Sequence, residues 1–356
     1  MKRITLWFKR QFNDPQVVFL TLALVTVLLV VLYAGNMLAP VLASIVIAYL
    51  LEGIIRLLQK LKVPRLLSVV IVFISFMLFI LIIIFAFLPL LFNQSKEMVQ
   101  NIPAMLSQGQ EALLRLPERY PELFSEQQVS EMIDGIRTDL TEYGQEILTL
   151  SLSSVTGVIS ILIYFVLVPI LVFFFLKDKR KIINWAQDFL PNDQQLAGKV
   201  WGDVDGKIGN YIRGKFWEIL IVFAACIVTF TLLELQWALL LAVLVGLSVI
   251  IPYIGAAVVT IPVALVAWFQ WGWSTPFMYL MVAYFIIQAL DGNLLVPLLF
   301  SEVVNIHPIA IIVAILLFGG LWGLWGVFFA IPLATVVQAI ITEWPREAED
   351  ESAQST

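Results

Sequence analysis

The sequence predicts an all-α polytopic membrane protein with roughly eight membrane segments, two of them re-entrant or broken helical hairpins, plus an extracytoplasmic helical segment. Three observations carry this. The chain of 356 residues is 61% hydrophobic and only 13% charged, with mean hydropathy +0.95. Several apolar runs reach the roughly 20 residues that cross a bilayer, and they lack the alternation of barrel strands. Finally, two long apolar stretches are interrupted by Gly and Pro at their centres.

Spans are expected near 16–34, 38–58, 66–91 and 150–176. Lys2, Arg3, Lys9 and Arg10 precede the first. That run is long for a cleaved signal, and a second follows at once, so it reads as a span. Basic residues set the orientation. Four lie at the N-terminus, four more (Arg56, Lys60, Lys62, Arg65) lie in the 56–65 turn, and eight lie in 177–215. The turn at 34–38 has none. This pattern predicts cytoplasmic N- and C-termini and an acidic cytoplasmic tail at 345–356.

Residues 92–149 carry ten acids and four basic residues. Val129, Met132, Ile133, Ile136, Leu140, Tyr143 and Ile147 recur at helical steps, and Ser125 with Gln128 suits a capping box. The segment reads either as a docking or oligomerisation surface or as a helical hairpin lying on its own protomer. Residues 177–215 place Leu196, Val200, Val204, Ile208 and Tyr211/Ile212 at similar spacing. Beside an anionic leaflet this reads as an in-plane cytoplasmic helix.

From Phe216 to Pro345 there is no Lys or Arg. Glu218, Glu234, Asp291, Glu302, Glu343 and His307 are the ionisable acids and base of that half, read as the transport core (216–344). An ionised acid in a span costs about 2.5–3.5 kcal/mol on insertion scales, so each needs a cation, a proton or a partner from elsewhere. Arg213 and Glu218 are a candidate pair at the membrane boundary.

The interrupted stretches are 236–271, with Gly246, Pro252, Gly255 and Pro262, and 305–344, with Gly319, Gly320, Gly323, Gly326 and Pro332. Gly255–Pro262 and Gly326–Pro332 echo one another, and each stretch follows an ordinary span (216–234, then 275–297). Paired broken segments of opposite orientation point to a transporter's substrate site. Tightly packed helix pairs with Gly at the crossings are the alternative.

Between them lies DGNLLVPLLFSEVVNIHP, residues 291–308. Gln288 and Asp291 share a helix face, Gly292–Asn293 is expected to open the last turn, and Pro297 removes a donor. Gln288, Asp291, Asn293, Glu302 and His307 are therefore candidate ligands for Na⁺ or a small polyhydroxylated solute, with Asp291 a candidate proton carrier. The plainer readings stand beside this. Gln288 and Asn293 satisfy freed backbone, Glu302 is a loop acid, and His307–Pro308 caps a helix.

Five stretches resemble the autoinducer-2 exporter family, in particular its PerM-like permeases. They are FFFLKDKRK (173–181), GNYIRGK (209–215), IPYIG (251–255), residues 291–308, and GGLWGLWGVFFAIPLA (319–334). The resemblance covers most of the chain but little of 92–149. Where the family commonly has Gln after the Arg-Gly pair, this chain has Lys215. The resemblance implies a bacterial inner-membrane permease exporting a small polar solute such as autoinducer-2, or exchanging Na⁺ for H⁺. It also implies a homo-oligomer, with a pentamer as the suggested form.

No enzyme is expected. There is one His, no Gly-x-Ser-x-Gly elbow and no phosphate-cradling Gly-Lys-Ser/Thr. Net charge −5 gives no footprint for nucleic acid, and the single Cys226 excludes an intrachain disulfide. No cofactor is expected beyond Na⁺ or H⁺ as coupling ion. A membrane scaffold acting through 92–149 and a passive oligomeric channel are the competing functions.

Overall fold

The computed structural model describes residues 15–114, 154–188, 195–252, 254–300 and 307–343, with isolated positions 117, 127 and 135. Among them every regular element is helical. Helix α1 (Pro15–Lys60) is followed by α2 (Arg65–Ile82), a π-turn (Ile83–Phe87) and α3 (Leu88–Leu114). Then come α4 (Ser154–Lys177), α5 (Lys179–Gln187), α6 (Gln195–Leu232), α7 (Ala238–Ser248), α8 (Ile254–Trp271) and α9 (Thr275–Leu290). A second π-turn (Asp291–Leu295), α10 (Val296–Phe300) and α11 (Pro308–Glu343) complete the described chain.

Among the described residues five helices are long and apolar enough to cross a membrane: Met37–Lys60, Arg65–Glu111, Asp205–Leu232, Ile254–Trp271 and Thr275–Phe300. Four shorter apolar helices accompany them: Ile163–Lys177, Ala238–Ser248, Ile309–Gly323 and Trp325–Gln338. Many large apolar side chains on their outer faces stay exposed, as expected where lipid replaces water.

Three boundaries differ from the sequence reading. The expected turn at 34–38 is absent, because α1 runs unbroken for 46 residues with Pro40 inside it. At a 1.5 Å rise that is roughly 70 Å, more than twice a bilayer's apolar thickness. The expected change at residue 92 is likewise absent, since helix continues to Leu114. Third, 177–215 is not one in-plane helix. Short α5 is followed by α6, which carries 195–215 straight into the span. The Val129–Ile147 face, the Ser125 cap and the 345–356 tail lie outside the described residues.

Three apolar clusters organise the fold. Ile55, Val69, Val72, Val172 and Leu176 join α1, α2 and α4. Cys226, Phe230, Leu241, Val245, Val263 and Tyr284 represent a cluster of α6 to α9. Tyr211, Ile212, Phe300, Ile315, Ala330 and Ile331 join the first half of α6 to α10 and α11. Helix α6 is thus the post shared by two clusters.

The basic 56–65 turn has a structural use. Glu52, buried on α1, meets Arg65 at 3.3 Å, Lys179 at 3.7 Å and Arg56 at 3.8 Å. Arg65 also donates to Leu176 O at 3.1 Å, so one carboxylate ties α1, α2 and α4 together. Beyond the first π-turn, α3 leans on the second cluster through Met98 and Met105. Its Gln94 Oε1 accepts from Leu240 N at 2.9 Å, satisfying an N–H that the first turn of α7 leaves without a helical partner.

Both π-turns end two residues before a proline, at Phe87 ahead of Pro89 and at Leu295 ahead of Pro297. Leu88 N bonds Ile83 O, and Val296 N bonds Asp291 O, five residues back. A proline ring clashes with the carbonyl four residues earlier, and the widened turn relieves that contact. Gly292–Asn293 therefore does not open the helix. It lies within a bulge, and the helix resumes through Pro297 to Phe300.

Candidate functional site

Two hairpins frame the site. Helices α7 and α8 fold back on one another, and Gln270 closes their far end by accepting from Gln236 N (2.8 Å) and donating to Glu234 O (2.7 Å). At the turn, after Pro252, a Cβ on Gly255 would overlap Ser248 O. Helix α11 repeats the device. It breaks at Gly323 (φ 60°, ψ −140°), a conformation open to glycine. A Cβ on Gly326 would overlap Phe318 O, and one on Gly319 would lie 2.8 Å from Val327 Cγ2. Gly255 and Gly326 are thus equivalent: each opens the second arm by lying on the last turn of the first. Gly320 has open space around it, and Pro262 and Pro332 lie inside the second arms.

Helix α7 has 11 residues, roughly 16 Å, about half the apolar thickness of a bilayer. Gly246 lets it press against α6, since a Cβ there would lie 2.9 Å from Phe223 Cβ. This contact brings Val249, the C-cap of α7, to Lys215 of α6.

Lys215 Nζ donates to Val249 O at 2.9 Å, lies 2.6 Å from Glu218 Oε2, and sits 5.2 Å from the centre of the Phe300 ring. Lys215 is only 4% exposed and Glu218 only 2%. Lysine and glutamate three residues apart share a helix face, which is why α6 alone supplies both. A buried charge is tolerated when paired and hydrogen-bonded; the helix end, the carboxylate and the ring face supply those partners.

Asp291 opens the π-turn, which packs against α6. Its Oδ1 is buried and has no hydrogen-bond partner among the described residues. Nearby, a polar chain links α9 to α8. Gln288 Nε2 donates to Tyr284 OH (2.6 Å), which lies 2.9 Å from Thr260 Oγ1, and Thr260 donates to Ala256 O (2.7 Å). Thr260 spends its only hydrogen on Ala256, so Tyr284 must donate to Thr260.

The remaining sequence candidates separate. Asn293 is exposed and donates to Ala289 O at 2.8 Å. His307 is exposed, and its Nδ1 accepts from Ile309 N (3.3 Å) at the head of α11, which begins with Pro308. Glu302 lies outside the described residues. The expected Arg213–Glu218 pair does not form. Arg213 donates to Asn210 Oδ1 at 2.8 Å, and Glu218 takes Lys215 instead. Among the described residues no three His, Cys, Asp or Glu side chains converge as metal ligands. Sequence reasoning missed Lys215, Tyr284 and Thr260. The available signal for Lys215 was a basic residue at the last position before the Lys-free half, three residues from an acid.

Half-length and broken helices around a buried charge cluster, in a multi-pass helical membrane protein, define the class as a permease. The AI-2E family transporter profile matches residues 19–346, and the chain belongs to that family. It is 44% identical over 339 residues to "Putative permease PerM" of Escherichia coli (strain K12), covering 95% of this chain and 96% of the relative. It is 28% identical over 316 residues to "Putative transport protein YueF" of Bacillus subtilis (strain 168), covering 87% and 84%.

Proposed function

We propose that the protein is a secondary permease of the bacterial inner membrane, working by alternating access around the α7–α8 and α11 hairpins. Its cargo is a small polar solute of the autoinducer-2 kind, moved outward, or Na⁺ exchanged for H⁺. The observation that carries this is the Lys215–Glu218–Asp291 cluster at the inner end of a half-length helix. Charged groups inside a membrane domain are costly and mark ion or substrate paths, and half-helix ends are where transporters place them. The two-hairpin repeat supports re-entrant segments that line a cavity rather than lipid.

The orientation with the 56–65 turn and α5 on the cytoplasmic side rests on the basic residues around Glu52 and in α5. A homo-oligomer, with a pentamer as the first form to test, accounts for the large apolar faces of α2 and α9 if protein rather than lipid covers part of them.

The test is flux in proteoliposomes of the purified protein under imposed Na⁺ and pH gradients, wild type against Asp291→Asn. Gradient-driven ion exchange that Asp291→Asn abolishes supports the exchange reading. Flux of a neutral solute without ion movement supports solute export. Absence of both rejects the permease reading.

A further inference from the structure

The partners of Lys215 Nζ are those that a bound alkali cation would use. A carbonyl at the negative end of a half-helix, a carboxylate and an aromatic face converge on one point. Two of the three are oxygens of the kind that holds Na⁺ where transporter helices break. The ammonium arrives on a side chain of the same protein and is nearly sealed from solvent. Asp291, on the π-turn packed against α6, has a buried oxygen that no described group satisfies.

Charge makes the site selective for a cation. Glu218 and Asp291 are the two acids here, Lys215 is the one base, and Phe216–Pro345 contains no Lys or Arg. Tyr211 and Cys226 are the other buried titratable side chains among the described residues of α6. Neither brings a positive charge. If the ammonium were withdrawn, two carboxylates and a helix end would face one another with no cation supplied by that half of the chain.

We propose that the Lys215 ammonium is a tethered cation seated in a monovalent-cation site formed by Val249 O, the Glu218 carboxylate and the Phe300 ring, and that this site admits free Na⁺ only when the ammonium is absent. The wild-type site is then indifferent to Na⁺. Motion of the lysine stem, rather than arrival of an ion, fills and empties it. This deepens the permease reading and rests on it for its meaning in transport, but the occupancy itself is testable without flux.

The experiment is ²²Na⁺ binding to the purified full-length protein in nanodiscs, with choline as the replacement ion, alongside unfolding temperatures in NaCl and in choline chloride. Wild type is expected to show no Na⁺ signal that Glu218→Gln removes. Lys215→Ala gains saturable binding and a Na⁺-dependent rise of about 2 °C or more. Lys215→Ala/Glu218→Gln loses both gains. Lys215→Ser, which leaves an oxygen in place of the stem, is the second variant should the first not fold. Wild-type Na⁺ binding that Glu218→Gln removes overturns the proposal. So does the absence of any Na⁺ gain in both Lys215 variants. A wild type that carries no cargo in proteoliposomes, while the Lys215 variants still gain Na⁺, rejects the permease reading and leaves the site standing.

Discussion

Phe300 lies under the Lys215 ammonium because residue 214 is glycine. A Cβ at Gly214 would come within 2.8 Å of Phe300 Cε1 and 3.3 Å of Leu299 O. The same ring also packs on Tyr211, with centroids 5.7 Å apart. Gly214→Val is therefore expected to destabilise the protein by about 1–3 kcal/mol through overpacking. Thermal unfolding in detergent checks this. Phe300→Ala in the Val background should recover part of the loss, since it removes the ring that the new side chain strikes.

Breaking the Lys215–Glu218 pair from one side should be worse than removing it whole. Glu218→Gln leaves a buried ammonium with one carbonyl and a ring, an expected loss of about 3–5 kcal/mol. Lys215→Met/Glu218→Met replaces the pair with apolar volume and is expected to recover most of that. A double-mutant cycle on unfolding temperature reads the difference. Equal losses in the single and double variants would contradict the pairing.

Glycines of the second hairpin should differ sharply among themselves. Gly326→Ala forces its Cβ into Phe318 O and must part the two arms, while Gly320→Ala meets open space. Gly323→Ala puts a side chain on backbone that favours glycine, at about 1–3 kcal/mol. Gly320→Ala, which also improves helix propensity, should be neutral or slightly stabilising. Cysteine crosslinking between the arms, at Ile315 and Ile331, would report whether Gly326→Ala separates them.

Glu52→Gln should loosen the junction of α1, α2 and α4. It leaves Arg65 and Lys179, each partly exposed, facing each other without a counter-charge. Solvent screening limits the expected loss to about 1–2 kcal/mol. Protease susceptibility of the 56–65 turn is the measurement. Increased cutting is expected, and unchanged cutting would demote the carboxylate to a spectator.

The helical class, the multi-pass character and the breaks within 236–271 and 305–344 were legible because apolar length and Gly/Pro punctuation are local signals. The echo of Gly255 in Gly326 was legible too, and the structure gives it one physical meaning: a missing Cβ over a carbonyl. Other features depend on distance in space. Lys215 reads as a boundary lysine until α7 is seen to end at its tip, and no periodicity announces that Val249 will be there. Arg213 was the wrong partner for Glu218 because five residues span more than one helical turn, whereas three bring Lys215 over the carboxylate. The expected turn at 34–38 failed because two apolar runs joined by Gly35 and Asn36 carry no break that a continuous helix cannot absorb. Pro297 misled in the opposite direction, since the π-turn ahead of it keeps the helix whole.

The hydrogen-bonded chain from Gln288 through Tyr284 and Thr260 to Ala256 has a direction, and its end matters. A relay passes a proton along only if each member can hand on a hydrogen of its own, and Ala256 ends the line with a peptide carbonyl that has none. The line is therefore a closed circuit board trace rather than a wire. It holds Tyr284 in place between two helices while preventing the one buried phenol of that cluster from leaking charge toward α8.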